Sequence, residues 1–202
     1  MPAAAQAKKD SSKLAPRSLR ILTNIYLPAQ LCFSNKFQSA EVSVESWQPK
    51  GWAWVGELGY ASRTRNDGAY NVQGVFGRVG IEKGFWEKKP ARRENGSWQT
   101  GLRLAFASFN YQNSAIVQSP YWGDIAFTDN QKGLFALWTE WHTSLRGRIG
   151  KRFFMGPMLR VKMLLLSSNN TFTTHPPEIV GYGVRRGLQA EVGYWVGIWL
   201  GK

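Results

Sequence analysis

Three side chains suited to acid–base and nucleophilic work stand two residues apart in the stretch "TEWHTS": Glu140, His142 and Ser144. In an extended chain such residues share one face, with about 7 Å from one to the next. A serine, an imidazole and a carboxylate are the parts of a nucleophile, its base and the group that orients the base. The chemistry they would support is acyl hydrolysis or transfer. Ser144, His142 and Glu140 are therefore an alternative catalytic set, that of a lipid-modifying enzyme. The same alternation places them with Arg146 on the polar face of a strand, where they serve a polar network equally well. A lipid substrate would have to reach a site turned away from it, so the expectation is a protein without catalytic residues.

Other routes to chemistry are narrower still. One cysteine, Cys32, permits no internal disulfide, and only His142 and His175 accompany it, so no metal set and no cofactor site is expected. The chain carries 26 basic and 13 acidic residues in 202, a formal charge of +13. Such an excess raises nucleic-acid binding as a first idea. A nucleic-acid surface needs a coherent exposed basic stripe with reachable aromatics. Here the basic residues are divided between turns such as "EKKPARR" and single positions on strands, so no nucleic-acid partner is expected. Arg160 and Lys162 invite an anion pore, but a lumen of eight strands is filled by side chains.

The elements that must position these residues follow a period of two. Strands are predicted over about 18–28, 39–48, 52–62, 70–84, 97–109, 134–148, 152–166 and 185–202, with no convincing helix. In the last, Leu188, Ala190, Val192, Tyr194, Val196, Ile198 and Leu200 alternate with Gln189, Glu191, Gly193, Trp195, Gly197 and Trp199. Pro157 within the seventh strand predicts a bulge or a rim position.

One face of nearly every strand is apolar and the other mixes charges of both signs with small residues. The polar faces hold Glu57, Arg78, Glu82, Arg103, Glu140, Arg146, Arg160, Lys162 and Glu191 as an expected interior network, with Arg20, Glu41 and Glu45 on similar faces. Charges of both signs can pair inside a narrow barrel. A soluble calyx would reverse the two faces. Trp52, Trp98 and Trp141 fit an aromatic girdle around an apolar band. Connections alternate between long (29–38, 63–69, 110–133, 167–180) and mostly shorter ("QPKG", 85–96, "IGK"). That is the habit of outer-membrane barrels, with both termini on the periplasmic side. The expected fold is an all-β, eight-stranded antiparallel transmembrane β-barrel with meander topology over 17–202. A polar lead-in covers 1–16, and Ala5-Gln6-Ala7 reads as a signal-peptide remnant within 1–7.

Several spaced motifs carry a family likeness: "GELGY" at 56–60, "YN" at 70–71, "GRVG" at 77–80, "YW" at 121–122, "WTE" at 138–140, "GYG" at 181–183 and "EVGYWVGIWL" at 191–200. With the polar lead-in, their order resembles a family of uncharacterised outer-membrane β-barrel proteins of the Bacteroidota. The first strand, "RILTNIYLP", departs from the glycine-rich pattern of that family. The resemblance implies a Gram-negative outer-membrane location and no transferable activity. It also implies a role that small barrels of that phylum sometimes take, as accessory subunits of larger outer-membrane assemblies. Expected partners are outer-membrane lipid and other outer-membrane or periplasmic subunits. Tyr111, Tyr121, Trp122 and Phe127, in the long 110–133 connection, are the candidates for contacting them.

Overall fold

The computed structural model describes residues 18–24, 37–48, 51–65, 69–85, 96–119, 121, 123–150, 152–168, 178–184 and 187–200. Eight antiparallel strands form one closed, barrel-like ring. They are β1 (Ser18–Asn24), β2 (Phe37–Trp47), β3 (Trp52–Arg65), β4 (Tyr70–Phe85), β5 (Gly96–Ser119), β6 (Gly123–Ile149), β7 (Phe153–Ser167) and β10 (Leu188–Trp199). A small second sheet pairs β8 (Glu178–Ile179) with β9 (Gly183–Val184). Around the ring each strand neighbours the next in sequence, and β1 closes on β10 with Arg20 opposite Trp199 and Asn24 opposite Trp195. Among the described residues there is no helix.

The period of two in the sequence becomes an inside and an outside. On β3, Glu57 is 2% exposed and its neighbour Leu58 71%. Val42 and Val44 on β2, Val75 and Val79 on β4, Leu102 and Leu104 on β5 and Val192 on β10 all face outward and exposed. Inward positions take the charged side chains, and glycines opposite them make the room. Gly80 faces Arg103 and Gly101 faces Glu82 across the β4–β5 ladder. A Cβ on either glycine would come within 2.7 Å of the Cγ of the facing side chain.

Three sequence expectations are corrected. The stretch 110–133 is no loop: β5 and β6 run on as a two-stranded ribbon, paired from Tyr111 with Gln131 to Ser119 with Gly123. The ladder to β4 ends at Asn113 and the ladder to β7 begins at Ala136, so the ribbon extends past the ring. Long alternating strands hold one another through their ladder whether or not a wall continues beside them. The connection after β7 is the second correction, because it contains β8 and β9. The third is Pro157. The pairs on either side, Ser144 with Met158 and Gly147 with Met155, keep one register, so the proline interrupts the ladder without a bulge and away from the strand's ends. The one register shift on that ladder falls between Leu137 and Trp138.

Candidate functional site

The functional residues to be placed all lie inside the ring. Glu57 is the hub of its middle. It accepts from Arg78, from Arg103 Nη1 at 2.6 Å and from Arg160 Nη2 at 3.1 Å. Arg78 reaches on to Glu41 Oε2 and to Glu140 Oε1, each at 3.0 Å. Arg160 adds Glu41 at 3.2 Å and Glu191 at 3.4 Å. Arg103 also pairs with Glu82, and Lys162 with Glu191. Towards the end that carries the short turns, Arg146 Nη1 lies 2.5 Å from Glu45 Oε1. All nine residues of the expected network are thus in one cluster. Glu41 and Glu45 complete it; their polar alternation on β2 was the only sequence signal for them.

The register explains part of this wiring. Glu57 stands opposite Arg78, Glu191 opposite Arg160 and Glu140 opposite Lys162 on neighbouring strands. Arg103 with Glu82 and Lys162 with Glu191 are diagonal pairs on adjacent strands, while Arg160 with Glu41 and Arg146 with Glu45 reach across the lumen to β2. Five basic side chains (Arg78, Arg103, Arg146, Arg160, Lys162) meet six carboxylates (Glu41, Glu45, Glu57, Glu82, Glu140, Glu191). Among the described residues the lumen therefore holds one carboxylate in excess, and the chain's positive excess resides outside it. An interior of balanced pairs gives an anion no preferred path, since each guanidinium is already matched to carboxylate.

Glu140, His142 and Ser144 share the inward face as their spacing requires, but they are wired apart. Glu140 accepts from Arg78 and from Trp138 Nε1, the latter at 2.6 Å. His142 Nδ1 lies 3.0 Å from Glu82, and Nε2 accepts from Trp195 Nε1 at 3.4 Å. Nε2 is thus engaged by Trp195, and Nδ1 stands beside Glu82 without a hydrogen bond, so neither nitrogen is bonded to the serine. Ser144 Oγ is buried and has no hydrogen-bond partner among the described residues. A nucleophile needs a base within hydrogen-bond reach, and here that contact is not made.

The other end of the lumen is closed by the chain itself. The β8–β9 hairpin packs Ile179, Val180 and Tyr182 into an apolar cluster with Phe76, Ala105, Ala107 and Trp138. Its turn residue Gly181 has φ +75° and lies against the Phe76 ring, a place where a side chain would be both strained and obstructed. The Gly181 carbonyl accepts from Lys162 Nζ at 2.7 Å and Arg78 Nη2 at 3.0 Å, which fastens the hairpin tip to the ion cluster. At its base, Glu178 pairs with Arg63 at 3.1 Å and Arg65 at 2.5 Å, and its N–H donates to the Tyr70 hydroxyl at 2.9 Å. Tyr182 stacks edge-on with Trp138 at 5.7 Å, and burial pushes its phenol above the ordinary value. A cavity of about 270 Å³ remains between hairpin and wall, lined by Glu41, Arg78, Lys162, Tyr182 and Glu191 among others.

This hairpin was missed in the sequence, where 167–180 reads as a connection and "GYG" only as a motif. The signal was present: Ile179, Val180 and Tyr182 are too apolar together for a solvated loop. Of the proposed contact residues, Tyr111 is instead buried and donates to Asp129. Tyr121 is 90% exposed and Phe127 53%, both on the ribbon. Trp122, Cys32, His175 and the 1–16 lead-in lie outside the described residues. No group of metal-binding side chains occurs among the described residues.

Residues 2–198 match the family described as "Domain of unknown function (DUF6048)". The chain belongs to the DUF6048 family. No curated protein matches it. The family description carries no activity, so this member's function has to be read from the ion-filled, hairpin-capped ring itself.

Proposed function

We propose that this DUF6048 chain is an integral outer-membrane β-barrel of the Bacteroidota type, without a reaction of its own, acting as an accessory or structural subunit of a larger outer-membrane assembly. The observation that carries the reading is the inversion of the two faces. Charges fill the inside, while Trp54, Leu58, Val75, Val79, Leu102, Leu188 and Val192 lie more than half exposed on the outside. A continuous apolar wall of that extent is unfavourable in water and favourable in hydrocarbon. A closed ring also leaves no unpaired strand edge within the lipid. The β5–β6 ribbon and the β8–β9 hairpin both lie at the end away from Ser18 and Trp199, which supports placing both termini on the periplasmic side.

The subunit role is supported by the β5–β6 ribbon. Ile116, Tyr121, Ile125 and Phe127 are exposed there, past the wall that would sit in lipid. Both outer edges of the ribbon lack a ladder neighbour among the described residues, which suits pairing with another chain. The filled lumen and the engaged His142 favour a non-catalytic role over the Ser144 enzyme.

Membrane fractionation with gel migration before and after heating tests the barrel. Recovery in the soluble fraction, with identical migration in both samples, would falsify it. Gentle detergent extraction followed by native size analysis tests the subunit role, for which the expected result is a species larger than the monomer. A solitary monomer under every mild condition would reject that part alone.

A further inference from the structure

The lumen is not completely filled. Between the β8–β9 hairpin and the wall lies the cavity of about 270 Å³, which reaches the surface beside the exposed Ala190. A cavity of about 150 Å³ accommodates benzene, so this one has room for about a dozen non-hydrogen atoms.

Its charges are already matched. The charged side chains that line it are Glu41, Arg63, Arg78, Lys162, Glu178 and Glu191. Arg78 pairs with Glu41, Arg63 with Glu178 and Lys162 with Glu191. A charged guest would meet a like charge beside every opposite one, without gaining an unpaired partner.

Two neutral side chains in the lining differ from these. Ser39 is 4% exposed, and neither its hydroxyl nor the Gln189 amide has a hydrogen-bond partner among the described residues. A hydroxyl and an amide both donate and accept. Glu191 adds acceptor capacity on the same face of β10 as Gln189. Its side chain is 27% exposed and meets Arg160 at 3.4 Å besides Lys162. The groups that a guest can satisfy here are therefore those that hydroxyls bond. Phe76, Ile179 and Tyr182 supply an apolar wall beside them.

We infer that this cavity is a binding site for a neutral, polyhydroxylated molecule of monosaccharide size. Its hydroxyls bond Ser39, Gln189 and Glu191, and its C–H groups lie against Ile179 and Tyr182. A buried polar group without a partner is unfavourable, so a guest that bonds Ser39 is favoured over one that cannot. The site needs only the closed ring and its hairpin, so it stands or falls independently of the membrane reading.

The test is equilibrium dialysis of the full chain, in a detergent without a sugar headgroup, against radiolabelled D-glucose, D-galactose and D-mannose. Glucosamine and glucuronate serve as charged counterparts. At least one neutral hexose is expected to bind at millimolar concentration, and both charged sugars more than about tenfold more weakly. Ser39→Ala and Gln189→Leu are each expected to weaken binding about fivefold, with the circular dichroism of the wild-type sheet retained. Retention of none of the three hexoses overturns the site. Equal or tighter binding of a charged sugar overturns the neutral class. Folded variants that bind as wild type does remove Ser39 and Gln189, and the proposal with them. If neither variant folds, hydrogen exchange of the wild type decides. Bound hexose is expected to slow exchange over 178–183 and 189–191; protection confined to other segments places the sugar outside the cavity and overturns the proposal.

Discussion

Glu57 and Leu58 are neighbours on one strand, yet they face opposite solvents. Glu57 is enclosed by three guanidinium groups, while Leu58 stands bare on the outer wall. In a water-soluble ring the pair would be exchanged. The contrast teaches that the burial of a side chain here is decided by pairing within the lumen, while apolar residues are left for whatever surrounds the ring. It also implies that the two faces fail in different ways, and each can be probed at this one pair of positions.

The largest effect is expected inside. Glu57→Gln leaves Arg78, Arg103 and Arg160 short of the carboxylate they share. Loss of one member of a buried ion cluster costs about 3–5 kcal/mol, to be read from urea unfolding in vesicles. A loss under about 1 kcal/mol would mean that the cluster is solvated and the inner face less distinct than described. Next in size is Leu58→Arg on the outer face. In lipid it should destabilise by about 2–4 kcal/mol if the residue lies near the bilayer midplane. The same variant in water would be almost neutral, so this substitution separates a lipid exterior from an aqueous one.

Smaller effects test the capped end. Tyr70→Phe removes the acceptor of the Glu178 N–H and should cost about 1 kcal/mol. It would be seen as faster hydrogen exchange of the Glu178–Val184 hairpin with the ring's protection unchanged. Equal loosening of ring and hairpin would show that the cap is part of the wall's own cooperative unit. The smallest change is expected for Ser144→Ala. Its hydroxyl has no partner among the described residues, so stability should shift by less than about 0.5 kcal/mol. Membrane lipid composition should also stay unchanged; altered acyl chains would revive the catalytic reading of His142 and Ser144.

Strand positions were legible because alternation is a local property. Val42 against Ser43, or Val192 against Gly193, shows its face without knowledge of any neighbour. The same rule assigned nine interior charges to polar faces, but not their partners. Arg78 reaches Glu140 on β6, and Arg160 reaches Glu41 on β2, only because the sheet closes. Over 110–133 the polar Asn113, Ser114 and Ser119 interrupt the apolar alternation, so the sequence shows no strand there. The β5–β6 ladder, carried on past a register shift between Phe109 and Tyr111, outweighs that local preference. Tyr111 is buried for the same reason, as it sits where that ladder still lies beside β4.

By itself the sequence determined an all-β chain with eight strands, most of them long and nearly every one bearing one charged and one apolar face. Period and composition suffice for that, because each strand expresses its own alternation. Only the tertiary structure decided that Ile179, Val180 and Tyr182 turn back into the ring, and that the Gly181 carbonyl meets Arg78 and Lys162. The reason is physical: a lumen exists only once β1 has met β10, and a segment can fill it only in the space the closed wall leaves.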